Sequence, residues 1–138
     1  DELVFKFKIS YLEDPYSDED WDLWRNFFHK YGQHLLIVGD DLTVTNPQRL
    51  LKALEPKAVN AVIIKPNQNG TISGTLETVN LARKHGLKIA VSHRGEETDD
   101  DWIVDFAMHV HADYVKFGGM ERGERVVKYN RLMELGMK

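Results

Sequence analysis

Five short apolar segments each run straight into an ionisable residue at nearly even spacing, and that rhythm limits what the chain can become. The segments are SYLEDP at Glu13, LLIVGDD at Asp40, AVIIKPN at Lys65, IAVSHR at His93 and DYVKFGG at Lys116. Successive gaps are 27, 25, 28 and 23 residues. About 25 residues is what a strand, a loop, a helix and a return loop consume in a βα unit. Repeated parallel units bring every strand's carboxyl end to one rim, where α/β proteins do their chemistry. The spacing therefore predicts two carboxylates, two lysines and a histidine along one edge of a parallel sheet. Its strands are expected near residues 8–12, 35–39, 61–65, 88–92 and 113–117.

At 138 residues the chain is long enough for one domain with a real core, expected to span 1–138. A closed eight-stranded barrel takes roughly 250 residues, so five units make an open sheet or a partial (β/α) barrel with outer helices. The runs LLIV, AVII and IAV are continuously apolar, as parallel strands buried on both faces should be. The N-terminal stretch differs. Leu3, Phe5, Phe7, Ile9 and Tyr11 alternate with Val4, Lys6, Lys8 and Ser10, which reads as a strand with one wet face and edge lysines. A partial barrel would leave the inward face of its sheet without opposing strands. A second copy related by a two-fold axis is then the simplest cover, with the Leu3-to-Tyr11 segment in the contact.

Between the strands the helices are legible. Ser17 before Asp18, Glu19 and Asp20 suits a helix start, followed by Trp21, Trp24, Phe27, Phe28 and Tyr31 at helical spacing. Asn46-Pro47 caps a second helix with Leu50, Leu51 and Leu54 inward. A third runs from about Ser73 to His85 and stops at Gly86. Thr98 can cap a fourth carrying Trp102, Ile103, Phe106 and Ala107, and a last begins near Glu121 with Val126, Val127, Leu132 and Leu135 on one side.

Composition excludes some partners. No apolar run approaches the ~20 residues that cross a bilayer, and no secretory pattern opens the chain. Cysteine is absent, which removes disulfides and thiolate chemistry and fits a cytoplasmic protein. A net charge of −4 without a basic cluster argues against nucleic acid.

The rim residues carry the chemistry. Glu13-Asp14 and Asp40-Asp41 form acidic pairs on adjacent strand ends, the oxygen donors that magnesium prefers. Either pair taken alone favours a solvated cap or turn, and the two at corresponding rim positions make metal binding plausible. A lysine ending an apolar strand, as at Lys65 or Lys116, is partly desolvated and can act as a base, or it can snorkel to water. Arg94 could hold a carboxylate or phosphate bidentately, and His93 could move a proton. The aromatic residues of the first helix read as core, and His109 and His111 as surface positions.

These words together resemble the enolase family. VGDDLTVTNPQRL, IKPNQNGTISGTLE, VSHRGEETDDDWIVDFA and KFGGMERGERVVKYNRL are similar to the C-terminal half of enolase, and SYLEDPYSDEDW to its SIEDP segment. The resemblance runs from about Tyr11 to Leu135 with the motifs in the same order. It implies half of a barrel domain and a glycolytic carbon–oxygen lyase, phosphopyruvate hydratase, that dehydrates 2-phosphoglycerate with Mg2+. Carried across by motif, Glu13 and Asp40 resemble metal carboxylates and Lys65 the base that removes the C2 proton. His93 resembles the histidine beside the leaving hydroxyl, Arg94 the phosphate ligand, and Lys116 the lysine facing the substrate carboxylate. Three departures accompany the match: Pro66 after Lys65, Gly95 where a serine is expected, and Phe117 after Lys116. The family's N-terminal domain and first barrel strands have no counterpart here. The isolated chain is therefore expected to lack turnover unless a dimer mate or partner completes it. The other reading is an enolase-derived binding or structural protein with a residual metal or anion site.

Overall fold

A computed structural model describes residues 2–55 and 57–136. Helices and strands follow one another as α1 (Glu2–Phe7), β1 (Tyr11–Glu13), α2 (Trp21–Tyr31), β2 (Leu36–Gly39), α3 (Pro47–Leu54), β3 (Ala61–Ile64), α4 (Pro66–Asn69), α5 (Ile72–Lys84), β4 (Lys88–Ser92), α6 (Trp102–His109), β5 (Tyr114–Lys116) and α7 (Gly123–Gly136). Strand order is sequential, β1-β2-β3-β4-β5. The pairs β1–β2, β2–β3 and β4–β5 are parallel. The expected α/β class and parallel βα repeat are what the chain adopts. By contact density it divides within β4 into two compact units, one ending at Ile89 and the other starting at Ala90.

In the first unit the core forms around β2 and β3. Ile37, Val38, Val62, Ile63 and Ile64 are buried, together with Trp24 of α2, Leu42 and Leu50. All four residues of β3 are buried, so the inner strand faces expected to await a second copy are covered within this chain. The α3 start is built as the sequence suggests: the Asn46 carboxamide accepts the N–H groups of Gln48 at 2.9 Å and Arg49 at 3.1 Å, and Pro47 opens the helix. Leu50 points inward while Leu51 is half exposed. At α5 the cap is Thr71, whose hydroxyl accepts from Gly74 N–H at 3.1 Å.

Two helix starts differ from expectation. Ser17 does not cap α2; its carbonyl accepts the Trp24 indole N–H at 2.9 Å, and Asp20 takes the N-cap position without a side-chain bond. Thr98 does not cap α6, whose N-cap is Asp101. The short α4 was not anticipated, yet it explains Pro66: a proline at the first helical position loses no hydrogen bond.

The N-terminal stretch is the largest correction. Residues Glu2–Phe7 are helical, and β1 starts only at Tyr11. Glu2 in the first turn and Lys6 in the last match the helix dipole. The backbone then turns through Lys8 at φ 51°. Alternating apolar residues suit a strand only where a neighbour offers a ladder, and among the described residues no strand pairs with Glu2–Phe7. Leu3, Phe5 and Phe7 remain exposed, with Phe5 edge-on to Tyr31 at 6.0 Å.

The second unit packs Val91, Val104, Ala107 and Phe117 into its interior. Here β5 is exposed at all three positions, including Tyr114 and Val115. It is apolar in composition but not buried like the inner strands. The later strands otherwise start and stop within one residue of the expected bounds.

Register in the first unit depends on Asn60. Its carboxamide oxygen accepts Ile37 N–H at 2.7 Å, and its amide donates to Gly32 O and Leu35 O, each at 2.9 Å. At about 1 kcal/mol for each bond lost, Asn60→Ala should cost about 2–3 kcal/mol. Urea unfolding of the two chains measures this directly.

Candidate functional site

Each predicted rim residue lies at or immediately after the carboxyl end of its strand: Glu13 ends β1, Asp40 follows β2, Lys65 follows β3, His93 follows β4 and Lys116 ends β5. In the first unit the fold brings Asp40 and Lys65 together. Lys65 Nζ donates to Asp40 Oδ2 at 2.6 Å, with the side chains only 14% and 9% exposed. Lys65 therefore does not snorkel to water. Glu13 sits one strand over, paired in register with Val38, two residues before Asp40.

Asp14 has a different task from the one its sequence suggested. With φ at 41°, its carboxylate turns back to accept the N–H groups of Asp40 at 2.9 Å and Asp41 at 2.7 Å. Burial pushes its carboxyl above the ordinary aspartate range; the two backbone bonds oppose that rise, and the charges of Asp40 and Asp41 add to it. Asp14 is thus a clamp on the Asp40 loop. Glu13 and Asp40 are left as the carboxylates at adjacent strand ends. They suit a hard divalent cation in kind, and Lys65 already occupies one oxygen of Asp40. Among the described residues no group of three His, Cys, Asp or Glu could hold a metal ion.

In the second unit His93 and Lys116 meet through the backbone. His93 N–H donates to Lys116 O at 3.0 Å, and ring Nδ1 lies 2.8 Å from the same carbonyl. A carbonyl only accepts, so Nδ1 carries a proton and turns Nε2 to the opposite side of the ring. That face is bounded by Gly118 at φ 78°, where an added Cβ would stand 2.9 Å from both His93 Nε2 and Arg125 Nε and 2.7 Å from Arg125 Cδ. A bare, left-handed backbone is required there. Tyr129 O–H donates to the Gly118 carbonyl, and Phe117 is sealed in the core with its ring edge-on to Tyr129 at 6.2 Å. The Phe117 side chain lines no open pocket. Arg94 is exposed, and open space surrounds the Gly95 Cβ position.

Sequence reasoning missed Lys128. It is fully buried in α7, on the helix that Val126, Val127, Leu132 and Leu135 were expected to anchor. Its Nζ pairs with Glu97 Oε2 at 3.0 Å and donates to Thr98 O at 3.1 Å and Glu124 O at 2.7 Å. The other Glu97 oxygen accepts Arg94 N–H at 2.8 Å. A buried ammonium therefore fixes Glu97, and Glu97 fixes the backbone of Arg94. A lysine between Val127 and Tyr129 on an otherwise apolar helix stretch was the available signal.

Comparison with known proteins agrees with these motifs. The enolase C-terminal TIM barrel domain family matches residues 1–137. Enolase of Helicobacter pylori (strain HPAG1) is 46% identical over 134 residues, covering 97% of this chain and 32% of the relative. Enolases of Helicobacter acinonychis (strain Sheeba) and Beutenbergia cavernae are 45% and 43% identical over the same shares. The chain thus spans about a third of the length of the curated relatives it matches.

Removing one partner of a buried ion pair leaves the other uncompensated. Lys128→Met should therefore destabilise the chain by about 3 kcal/mol and speed amide exchange at Arg94. Chemical denaturation and hydrogen exchange read the two effects separately.

Proposed function

Because the chain belongs to the enolase C-terminal TIM barrel domain family, we propose that it supplies part of a magnesium-dependent site that dehydrates 2-phosphoglycerate to phosphoenolpyruvate. The observation that carries this reading is the largely buried Lys65–Asp40 pair, an amine and a carboxylate placed by two successive βα units. Magnesium at Glu13 and Asp40 would supply positive charge against the substrate carboxylate as a carbanion develops beside it. Lys65 takes the C2 proton, and the electron pair left on C2 forms the double bond to C3 as the C3–O bond breaks. The hydroxyl leaves as water with a proton from an acid in the completing part, and Lys116 faces the carboxylate. His93, with Nδ1 bonded to Lys116 O, stands beside the departing hydroxyl, and Arg94 holds the phosphate. Completion comes from a dimer mate or from the parts of the longer relatives that this chain lacks, in a cytoplasmic setting. Among the described residues no helix is long and apolar enough to cross a membrane.

A second reading has its own support. No three-ligand acidic or histidine cluster is present among the described residues, and Gly95 offers no hydroxyl. The chain is then an enolase-derived binding protein with a weak metal or anion site.

Turnover separates the two readings. With its complement absent, the chain should show 2-phosphoglycerate dehydration near background, since each missing general acid or base removes typically about 10²–10⁴-fold. Added complement should restore activity, and Lys65→Ala should abolish it. Restored activity that survives Lys65→Ala would overturn the assignment of the base.

Isothermal titration tests the metal. Magnesium should bind weakly, with water completing its shell, and Asp40→Asn should weaken it further. Lys65→Met should tighten binding, because it removes the cation that competes for Asp40 Oδ2. Equal affinities in all three chains would remove Asp40 from the site.

The exposed apolar residues Leu3, Phe5 and Phe7 of α1 support association through that helix. Phe5→Asp with Phe7→Asp should lower the mass seen by light scattering, whereas Met133→Asp on α7 should not.

A further inference from the structure

The loop between Asp40 and α3 contains two consecutive β-branched residues in the left-handed region, Val44 at φ 43° and Thr45 at φ 52°. For such residues this conformation is a genuine outlier, and it persists only where the surroundings over-determine it. The bonds that do so are specific. Asp40 O accepts Thr43 N–H at 3.1 Å and Val44 N–H at 2.8 Å. Thr45 is fully buried, and its carbonyl accepts from Asn69 Nδ2 and Thr78 Oγ1, each at 3.1 Å. Its hydroxyl donates to Gln68 Oε1 at 3.1 Å and accepts the backbone N–H of Lys65 at 2.8 Å.

We propose that Thr45 is a positioning residue that sets Lys65 opposite Asp40. The strained loop begins at one member of the ion pair and delivers a hydroxyl to the backbone of the other. Both the origin of the Asp40 side chain and that of Lys65 are thereby tied to one rigid turn. Lys65 is otherwise the N-cap of the four-residue α4 and has no capping bond from its own side chain. The Gln68 carboxamide fixes the rotation of the hydroxyl, leaving its lone pair toward Lys65 N–H. This inference rests on the proposed function only in treating Asp40 and Lys65 as site residues.

Limited acetylation with acetic anhydride, read lysine by lysine by peptide mass spectrometry, tests it without metal or turnover. In the wild-type chain Lys65 should react more slowly than the exposed Lys84. Thr45→Val keeps the shape but removes the hydroxyl, and should raise the Lys65 rate about three- to tenfold, the loss of one hydrogen bond, with Lys84 unchanged. Thr45→Ser should restore the wild-type rate. A folded Thr45→Val chain whose Lys65 reacts at the wild-type rate overturns the proposal. So does a Thr45→Ser chain that behaves like Thr45→Val, since the methyl group would then be responsible. If Thr45→Val does not fold, Gln68→Ala decides: the Lys65 amide should exchange faster once the hydroxyl is free to rotate, and unchanged exchange overturns the proposal. Magnesium titration of the wild-type chain stands apart from these measurements. Absence of binding there would sink the metal reading while leaving the acetylation pattern to decide the role of Thr45.

Discussion

Parallel strands end with backbone groups that the ladder no longer pairs, and a buried N–H or C=O without a partner is costly. How this chain satisfies those groups governs where its chemistry-bearing side chains start. After β2, the Asp14 carboxylate takes the N–H groups of Asp40 and Asp41. After β3, the Thr45 hydroxyl takes that of Lys65. After β4, Lys116 O serves both the backbone and the ring of His93, and Glu97 serves Arg94. Side chains expected to act on a ligand are thus held through their own main chain, by Asp14, Thr45 and Glu97 and, for His93, by the carbonyl of Lys116.

This division of labour explains what was legible in the sequence. Asp40, Lys65, His93 and Lys116 follow apolar runs, so periodicity alone put them at strand ends. The residues that hold them are ordinary in composition. Thr45 is one of two threonines in its loop, and Asp14 is a carboxylate like the metal-ligand candidate Glu13 beside it. Only the backbone angles and the bond partners separate clamp from ligand. Lys128 was hidden for a related reason: helical periodicity assigns a lysine to water, and the cost of burying one is met by an acidic partner more than thirty positions back in the chain.

The N-terminal error has another cause. Alternation over Leu3–Tyr11 is a statement about side chains, whereas a strand also needs a neighbouring backbone. Tyr11–Glu13 finds one in Leu36–Val38, to which Ser10 O adds a bond from Leu36 N–H; Glu2–Phe7 instead form a helix. The same consideration applies in reverse to β5, which has a ladder partner in β4 but little covering it. Pairing and burial are separate conditions, and the apolar pattern reports on neither alone.

Burying Lys128 also gives the loop at Arg94 an unusual response to heat. Hydration of charged groups carries a negative entropy, so the penalty for withdrawing them from water shrinks as temperature rises, while the hydrophobic contribution per unit area levels off. The Glu97–Lys128 pair accordingly gains relative to its apolar surroundings on warming. A segment that is exposed from Arg94 to Glu96 would ordinarily be the first to fray. Here its attachment point is the contact whose cost falls with temperature, so warming should loosen the turn that carries Arg94 later than an unattached loop of the same exposure.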